Sequence, residues 1–252
     1  MTNKYMYFVA NWKMFGDLRS LKTLNKVITF IKKVRKNKFK LIYCPPSTLI
    51  YPLAKKFKKT SIEVGAQNCH ESENYGPYTG QLNSKMLKNV GAKYVILGHS
   101  ENRQSGETDK LINKKIKAAL KNNFKIIFCI GESLKQRQKK QTHLTLSSQI
   151  KQGLRGIKNY KNIIIAYEPV WSIGTGMIPE TELLKKIMKF IKSNFNKKNK
   201  LSRNFPKFLY GGSVNPNNIK TLKEIDDIDG FLIGGASQNS KKFIDIIKKT
   251  FN

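Results

Sequence analysis

Eight short apolar runs, rich in β-branched and aromatic residues, recur along the chain with amphipathic stretches between them. The runs predict strands near Tyr7–Ala10, Lys40–Tyr43, Ile62–Gly65, Tyr94–Leu97, Lys125–Cys129, Ile163–Ala166, Lys207–Tyr210 and Gly230–Ile233. They are continuous rather than alternating, which is the pattern of parallel strands covered on both faces. Leu18, Leu21, Leu24, Ile28, Ile31 and Val34 fall at helical spacing, as do Leu183, Leu184, Ile187, Met188 and Ile191, and both stripes predict core-facing helices. Pro179 is placed to start the later helix, with Glu180 and Glu182 in its first turn, where the helix dipole favours acids.

No linker, low-complexity block or composition break interrupts the eight β–α units. The expected architecture is a closed (β/α)8 barrel, a single domain over residues 1–252. A doubly wound open sheet is the alternative, but no G-x-G-x-x-G follows the first strand.

Composition narrows the function classes. At 39 % hydrophobic, 252 residues can bury a full core, and no apolar run is long enough to span a membrane. The N-terminal MTNKYMYFVANWK reads as a strand rather than a signal peptide. Cys44, Cys69 and Cys129 are an odd number with no C-x-x-C, so reduced thiols in a cytosol are expected. No His/Cys/Asp/Glu cluster has metal-ligand spacing, and neither metal nor cofactor is expected. The net charge of +32 raises the question of a nucleic-acid partner. Six arginines against 42 lysines argue against bidentate phosphate reading. Clusters such as Lys32-Lys33, Lys55-Lys56 and Lys197-Lys198 are spread along the chain, as solvated faces would be.

In a barrel of this type the chemistry sits on the loops after the strands. Glu168 stands at the end of the Ile163–Ala166 run, and Pro169 behind it cannot continue the sheet ladder. Trp171 and Gly174-Thr175-Gly176 follow at once, so a carboxylate is joined to a segment that can hinge over a ligand. The other strand ends deliver Asn11-Trp12-Lys13, Gly98-His99-Ser100-Glu101, Cys129-Ile130-Gly131-Glu132, Gly211-Gly212-Ser213 and Gly234-Gly235-Ala236-Ser237. His99 precedes a predicted helix start, where the dipole disfavours an imidazolium. The two glycine pairs lie on the loops where barrels build phosphate sites, and glycine lets backbone N–H groups approach an anion closely. His70 and His143 lie in polar stretches and are given no role.

The motifs NWK (Asn11–Lys13), GHSENR (Gly98–Arg103), YEPVWSIGTG (Tyr167–Gly176), YGGSV (Tyr210–Val214) and GGAS (Gly234–Ser237) span almost the whole chain. In order and spacing they resemble the triosephosphate isomerase family. The resemblance implies interconversion of dihydroxyacetone phosphate and glyceraldehyde 3-phosphate, a step of glycolysis and gluconeogenesis. By this resemblance Glu168 matches the base, His99 the neutral electrophile, Lys13 the cation facing the substrate and Asn11 a donor beside the reacting oxygens. Gly174, Ser213, Gly234 and Gly235 match the phosphate donors. Glu101 matches a carboxylate near Lys13, Ile173 and Leu232 match the apolar pair that closes over the base, and Cys129 is placed with them around the reacting groups. Asn74–Gln81 looks like the loop that enters a neighbouring subunit, with Thr79 reaching the partner's site, so a homodimer is implied. Three positions depart from the family pattern: Asn102 replaces a common Arg, Gln81 replaces a common Glu, and Met177-Ile178-Pro179 forms the far hinge, which Pro179 is expected to stiffen. Two other readings stand beside this one: a phosphate-binding barrel without catalysis, and a basic nucleic-acid-binding protein.

Overall fold

In a computed structural model that describes residues 4–34, 38–196 and 205–252, the strands close into one parallel barrel. The cluster Lys197-Lys198 lies outside the described residues. Strands β1 (Met6–Asn11), β2 (Phe39–Cys44), β3 (Glu63–Ala66), β4 (Tyr94–Leu97), β5 (Lys125–Ile130), β6 (Ile163–Tyr167), β7 (Lys207–Tyr210) and β8 (Gly230–Ile233) pair in chain order, and β8 returns to β1. Every run read from the sequence is a strand, displaced or extended by no more than a residue at either end. Around them lie α1 (Asn25–Lys33), α2 (Ile50–Phe57), α3 (Ser84–Asn89), α4 (Ser100–Gln104), α5 (Asp109–Lys121), α6 (Leu134–Gln138), α7 (Thr142–Gly153), α8 (Thr181–Asn196), α9 (Ile219–Lys223) and α10 (Ser240–Phe251).

Strand geometry sends alternate side chains to opposite faces. Along β1, Val9 points into the lumen with Ile42, Ile96, Ile127, Ala166, Leu209 and Leu232, while Phe8 and Ala10 pack under the helices. Both faces are therefore dry, as the continuous apolar runs require. Two helical expectations need correction. Leu18 is 68 % exposed, because the stripe begins in a 3-10 turn, Arg19–Leu24, that ends at the core only with Leu24. The helix after Pro179 starts at Thr181, where the Leu184 N–H reaches the Glu180 carbonyl at 2.9 Å. Lys32-Lys33 and Lys55-Lys56 do occupy last turns, of α1 and α2.

The end of the barrel away from the loops after the strands carries its own charge cluster. Glu63 pairs with Lys40 at 3.1 Å and Lys93 at 3.4 Å. Burial pushes the Glu63 carboxyl up, but hydrogen bonds from Tyr94 and Lys40 and the charges of Lys40 and Lys125 outweigh it and leave the group below its ordinary range. A carboxyl depressed in the folded state stabilises the protein above its unfolded value, and that contribution is lost as pH falls through the folded value. Between about pH 5 and 3 the thermal midpoint of the wild type should therefore fall more steeply than that of Glu63→Gln. Parallel curves from calorimetry would show that this cluster does not contribute.

Candidate active site

The rim at the C-terminal ends of the strands holds a cavity of about 520 Å³. Asn11, Lys13, His99, Glu168, Ile173, Gly174, Ser213, Leu232, Gly234 and Gly235 all line it. Residues more than 220 positions apart in sequence thus meet at one place, by way of the β1–β8 pairing.

Each polar side chain is fixed by its local structure. Asn11 ends β1 and is buried, and its Oδ1 accepts the Lys13 N–H at 3.1 Å. Lys13 sits at φ 55°, in the left-handed region that non-glycine residues rarely occupy. Its carbonyl is held by Gln67 Nε2 at 2.8 Å, and Gln67 also donates to the Cys44 carbonyl at 2.9 Å. The Lys13 ammonium lies 2.7 Å from Glu101 Oε1. Trp12 anchors the same turn by donating from Nε1 to the Ser237 carbonyl at 3.3 Å.

His99 caps α4, and its Nδ1 accepts the Glu101 N–H at 3.3 Å. That contact makes Nδ1 an acceptor, so the neutral ring carries its proton on Nε2. Nε2 lies 3.2 Å from Glu168 Oε1, and the Ser100 N–H approaches Oε2 at 3.4 Å. Glu168 is only 2 % exposed. Burial pushes its carboxyl above the ordinary range, against His99, the Ser100 N–H and Lys13, which favour the anion. Cys129 lies behind it with a fully buried thiol, pushed well up by burial and then by the Glu168 charge. Gly131 makes room for the strand end, since a Cβ there would stand 1.8 Å from the Glu168 carbonyl oxygen.

The segment after Glu168 is tied down at its start and free at its tip. The buried Glu132 carboxylate accepts from Trp171 Nε1 at 3.1 Å and from Tyr167 Oη at 3.2 Å, and the Arg137 guanidinium lies 4.3 Å over the Trp171 ring. Gly174 and Gly176 take φ of 74° and 79°, and a Cβ on either would meet nothing within 4 Å. A side chain at either position would therefore point into open space, while the two glycines themselves line the cavity.

The glycine pairs divide their work differently from the sequence reading. A Cβ at Gly211 would fall 2.8 Å from Glu168 Cγ, and one at Gly212 would fall 2.2 Å from Tyr210 Oη. The pair after β7 is thus required by close packing. After β8, a Cβ at Gly235 would meet nothing within 4 Å, and one at Gly234 only Lys13 Cε at 3.6 Å. There the backbone faces open cavity, and the first N–H groups of the turn Gly235–Gln238 have no partner within that turn.

Thr79 is exposed on the loop after β3 and does not line this cavity. The histidines given no role also touch aromatic rings: His70 packs on Tyr78 at 4.3 Å while its Nδ1 accepts the Ser72 N–H at 3.1 Å and its Nε2 lies 3.3 Å from Glu71, and the exposed His143 stacks on Phe190 at 4.1 Å. Cys44, Cys69 and Cys129 are buried free thiols. Among the described residues no group of three His, Cys, Asp or Glu could hold a metal ion, and no helix is long and apolar enough to cross a membrane. Sequence reasoning gave no role to Gln67, Glu132, Ser172 or Tyr210. The available signal was position, since each stands beside or just beyond a strand's C-terminal end.

Comparison with known proteins agrees with this geometry. A family model described as triosephosphate isomerase matches residues 6–250. The triosephosphate isomerase of Thermodesulfovibrio yellowstonii is 42 % identical over 96 % of this chain and 98 % of its own length. That of Aquifex aeolicus is 39 % identical over 94 % and 96 %. The crystal structure of triosephosphate isomerase from Bartonella henselae superposes with a TM-score of 0.89 at 33 % identity, covering 98 % of this chain and 99 % of that one.

Burying the Glu168 carboxylate costs the fold stability at neutral pH. A carboxyl raised in the folded state holds its proton more tightly there, so the penalty is absent below the unfolded value and grows as pH rises towards the folded one. Glu168→Gln should therefore raise the thermal midpoint at pH 7 and change it little at pH 4. An equal shift at both pH values would assign the effect to packing.

Proposed function

Starting from a chain that belongs to the triosephosphate isomerase family, and is therefore an intramolecular aldose–ketose isomerase of triose phosphates, we propose a proton shuttle centred on Glu168. The observation that carries it is the dried Glu168 carboxylate, 3.2 Å from a histidine whose proton lies on Nε2, in a cavity that also holds Lys13. Substrate enters with its phosphate at Ser213, Gly174, Gly234 and Gly235, where backbone N–H groups are the donors. Lys13, Asn11 and His99 face the two oxygens of the reacting carbons. Glu168 exchanges its contact with His99 for the substrate carbon and takes the proton from C1 of dihydroxyacetone phosphate. The electron pair moves onto the carbonyl oxygen and forms an enediolate. The Nε2–H of His99 donates to the developing charge, and Lys13 opposes it electrostatically. The Nε2–H proton of His99 passes to O2 while Nε2 takes the hydroxyl proton from O1, and Glu168 returns its proton to C2 as the electrons of the broken O1–H bond form the C1 carbonyl. No proton or electron leaves the site.

Ile173 and Leu232 flank the base, and closure of the lid keeps water from the enediolate, which would otherwise expel phosphate. The proposed assembly is a homodimer. Met14, at 93 % exposure, and Phe15 on the loop after β1, with Tyr75 and Tyr78 on the loop after β3, are apolar groups left open to solvent. A second copy would cover them, and Thr79 would then reach the partner's cavity. The buried free thiols suit a reducing compartment, and a cytoplasmic location is proposed on that ground.

A coupled assay of glyceraldehyde 3-phosphate isomerisation tests the reading. Glu168→Gln should lose about 10²–10⁴-fold in kcat, the usual contribution of a positioned base, with phosphate binding retained. Lys13→Met should lower kcat/KM by at least about 100-fold, as loss of a preorganised charge commonly does. Near-wild-type turnover in either variant removes that residue from its role. Sedimentation at micromolar protein and moderate salt should show a two-fold dimer, and a fully active monomer would reject both the dimer and the place given to Thr79.

A further inference from the structure

Ser172 is fully buried where the lid segment leaves the barrel, and its hydroxyl has three partners. It donates to the Met177 carbonyl at 2.6 Å, on the far hinge of the lid. With its own proton committed there, the 3.2 Å contact to Tyr210 Oη is a bond that Tyr210 donates. The third partner is the Ser213 N–H, at 3.4 Å. A serine hydroxyl offers one donor and two acceptor lone pairs, so this one is saturated. It joins the near hinge, the far hinge, the end of β7 and the loop beyond it at one atom.

The surroundings are shaped around this atom. A Cβ at Gly212 would stand 2.2 Å from Tyr210 Oη and 2.9 Å from Ser172 Oγ, so only glycine lets the tyrosine reach the serine. Tyr210 is fully buried, and burial pushes its phenol up to about 12, which keeps it protonated as a donor. The lid closes its own loop through Thr175, whose Oγ1 donates to the Ser172 carbonyl at 3.2 Å and accepts the Met177 N–H at 3.2 Å. At the tip between these hinges a Cβ on Gly174 or Gly176 would meet nothing within 4 Å. This network holds the lid in the conformation seen here, with Ile173, Gly174 and Gly176 lining the cavity.

We propose that the Ser172 hydroxyl is a positioning residue that latches the lid in the conformation seen here and competes with the substrate's phosphate for the Ser213 N–H. The inference rests on the reading of Ser213 as a phosphate donor. An arriving phosphate draws that N–H away from Ser172 and leaves the hydroxyl with one partner fewer, at the point where both hinges meet. Phosphate binding and release of the lid are thereby linked through a single oxygen. The hydroxyl opposes binding.

Removing the hydroxyl should strengthen phosphate binding, the opposite of what loss of a ligand contact does. In Ser172→Ala, the Kd for inorganic phosphate and the KM for triose phosphate should fall by about 3- to 10-fold, the range expected for loss of one buried hydrogen-bond hub. Tyr210→Phe, which removes one donor and keeps the serine, should shift the phosphate Kd in the same direction by less. The double variant should go no further than Ser172→Ala alone, because the two act through one atom. Trp171 fluorescence reports the lid directly, and phosphate should saturate its change at lower concentration in Ser172→Ala. Unchanged or weakened phosphate binding in soluble, folded Ser172→Ala overturns the latch, as do additive effects in the double variant. Should Ser172→Ala not fold, Tyr210→Phe decides alone, and an unchanged Kd there rejects the proposal. Wild-type protein that isomerises triose phosphate without binding inorganic phosphate at Ser213 overturns the latch but not the catalysis. Wild-type protein that does neither overturns both.

Discussion

The seam between β1 and β8 is the contact on which the site depends. Tyr7 to Ala10 pair with Gly230 to Ile233, bringing together strands at opposite ends of the chain. The approach is so close that a Cβ at Gly230 would stand 2.1 Å from the Tyr7 carbonyl oxygen. No other residue type could pass there without moving the strand. The entropy of joining such distant segments grows only slowly with loop length, but it is spent before any local reward is gained. Once the seam is shut, Lys13 and Gly234 face the same cavity, with the lysine stem against the glycine. Were it to open, the cation from the first loop and the backbone of the last would part.

Within that ring the charges are arranged so that each is held before a substrate arrives. Glu101 holds the Lys13 ammonium, His99 holds Glu168, and the Glu101 N–H fixes which imidazole nitrogen carries the proton. Arg103 ties the turn before α4 to the barrel wall, donating to the Gly98 carbonyl at 2.7 Å and to the Cys129 carbonyl at 3.2 Å, and it pairs with Asp109 at 2.6 Å. Preorganised groups of this kind need little reorganisation when charge develops on a bound ligand.

The strands were legible because burial on both faces leaves a signal that single residues cannot blur. Lys125–Ile130 and Ile163–Tyr167 are almost unbroken apolar runs ending at turn residues. Glu168, His99 and Lys13 were legible because each directly follows such a run. Leu18 misled because periodicity does not distinguish the first turn of a helix from the 3-10 entry that precedes it. The bonds of Ser172 to Tyr210 and Ser213 were hidden for a different reason. They join residues 38 and 41 positions apart, and nothing in the local pattern around Ser172 marks a hydroxyl that will be saturated by another loop. Likewise, Gly211 and Gly212 read as an anion cradle in sequence and do line the cavity, but that pattern gives no sign that Glu168 and Tyr210 also need the space a Cβ would take.

The left-handed backbone of Lys13 sets a limit on how this protein can evolve. Glycine would adopt φ 55° without strain, and a residue with a Cβ gives up stability to be there. Asn11 and Gln67 hold the backbone in place from both sides. Selection for thermal robustness alone would remove the lysine at this position, and the role proposed for its ammonium would keep it. The turn therefore marks a place where the two pressures pull in opposite directions. Stabilised descendants of this sequence should gather their substitutions elsewhere, leaving this one unfavourable angle untouched.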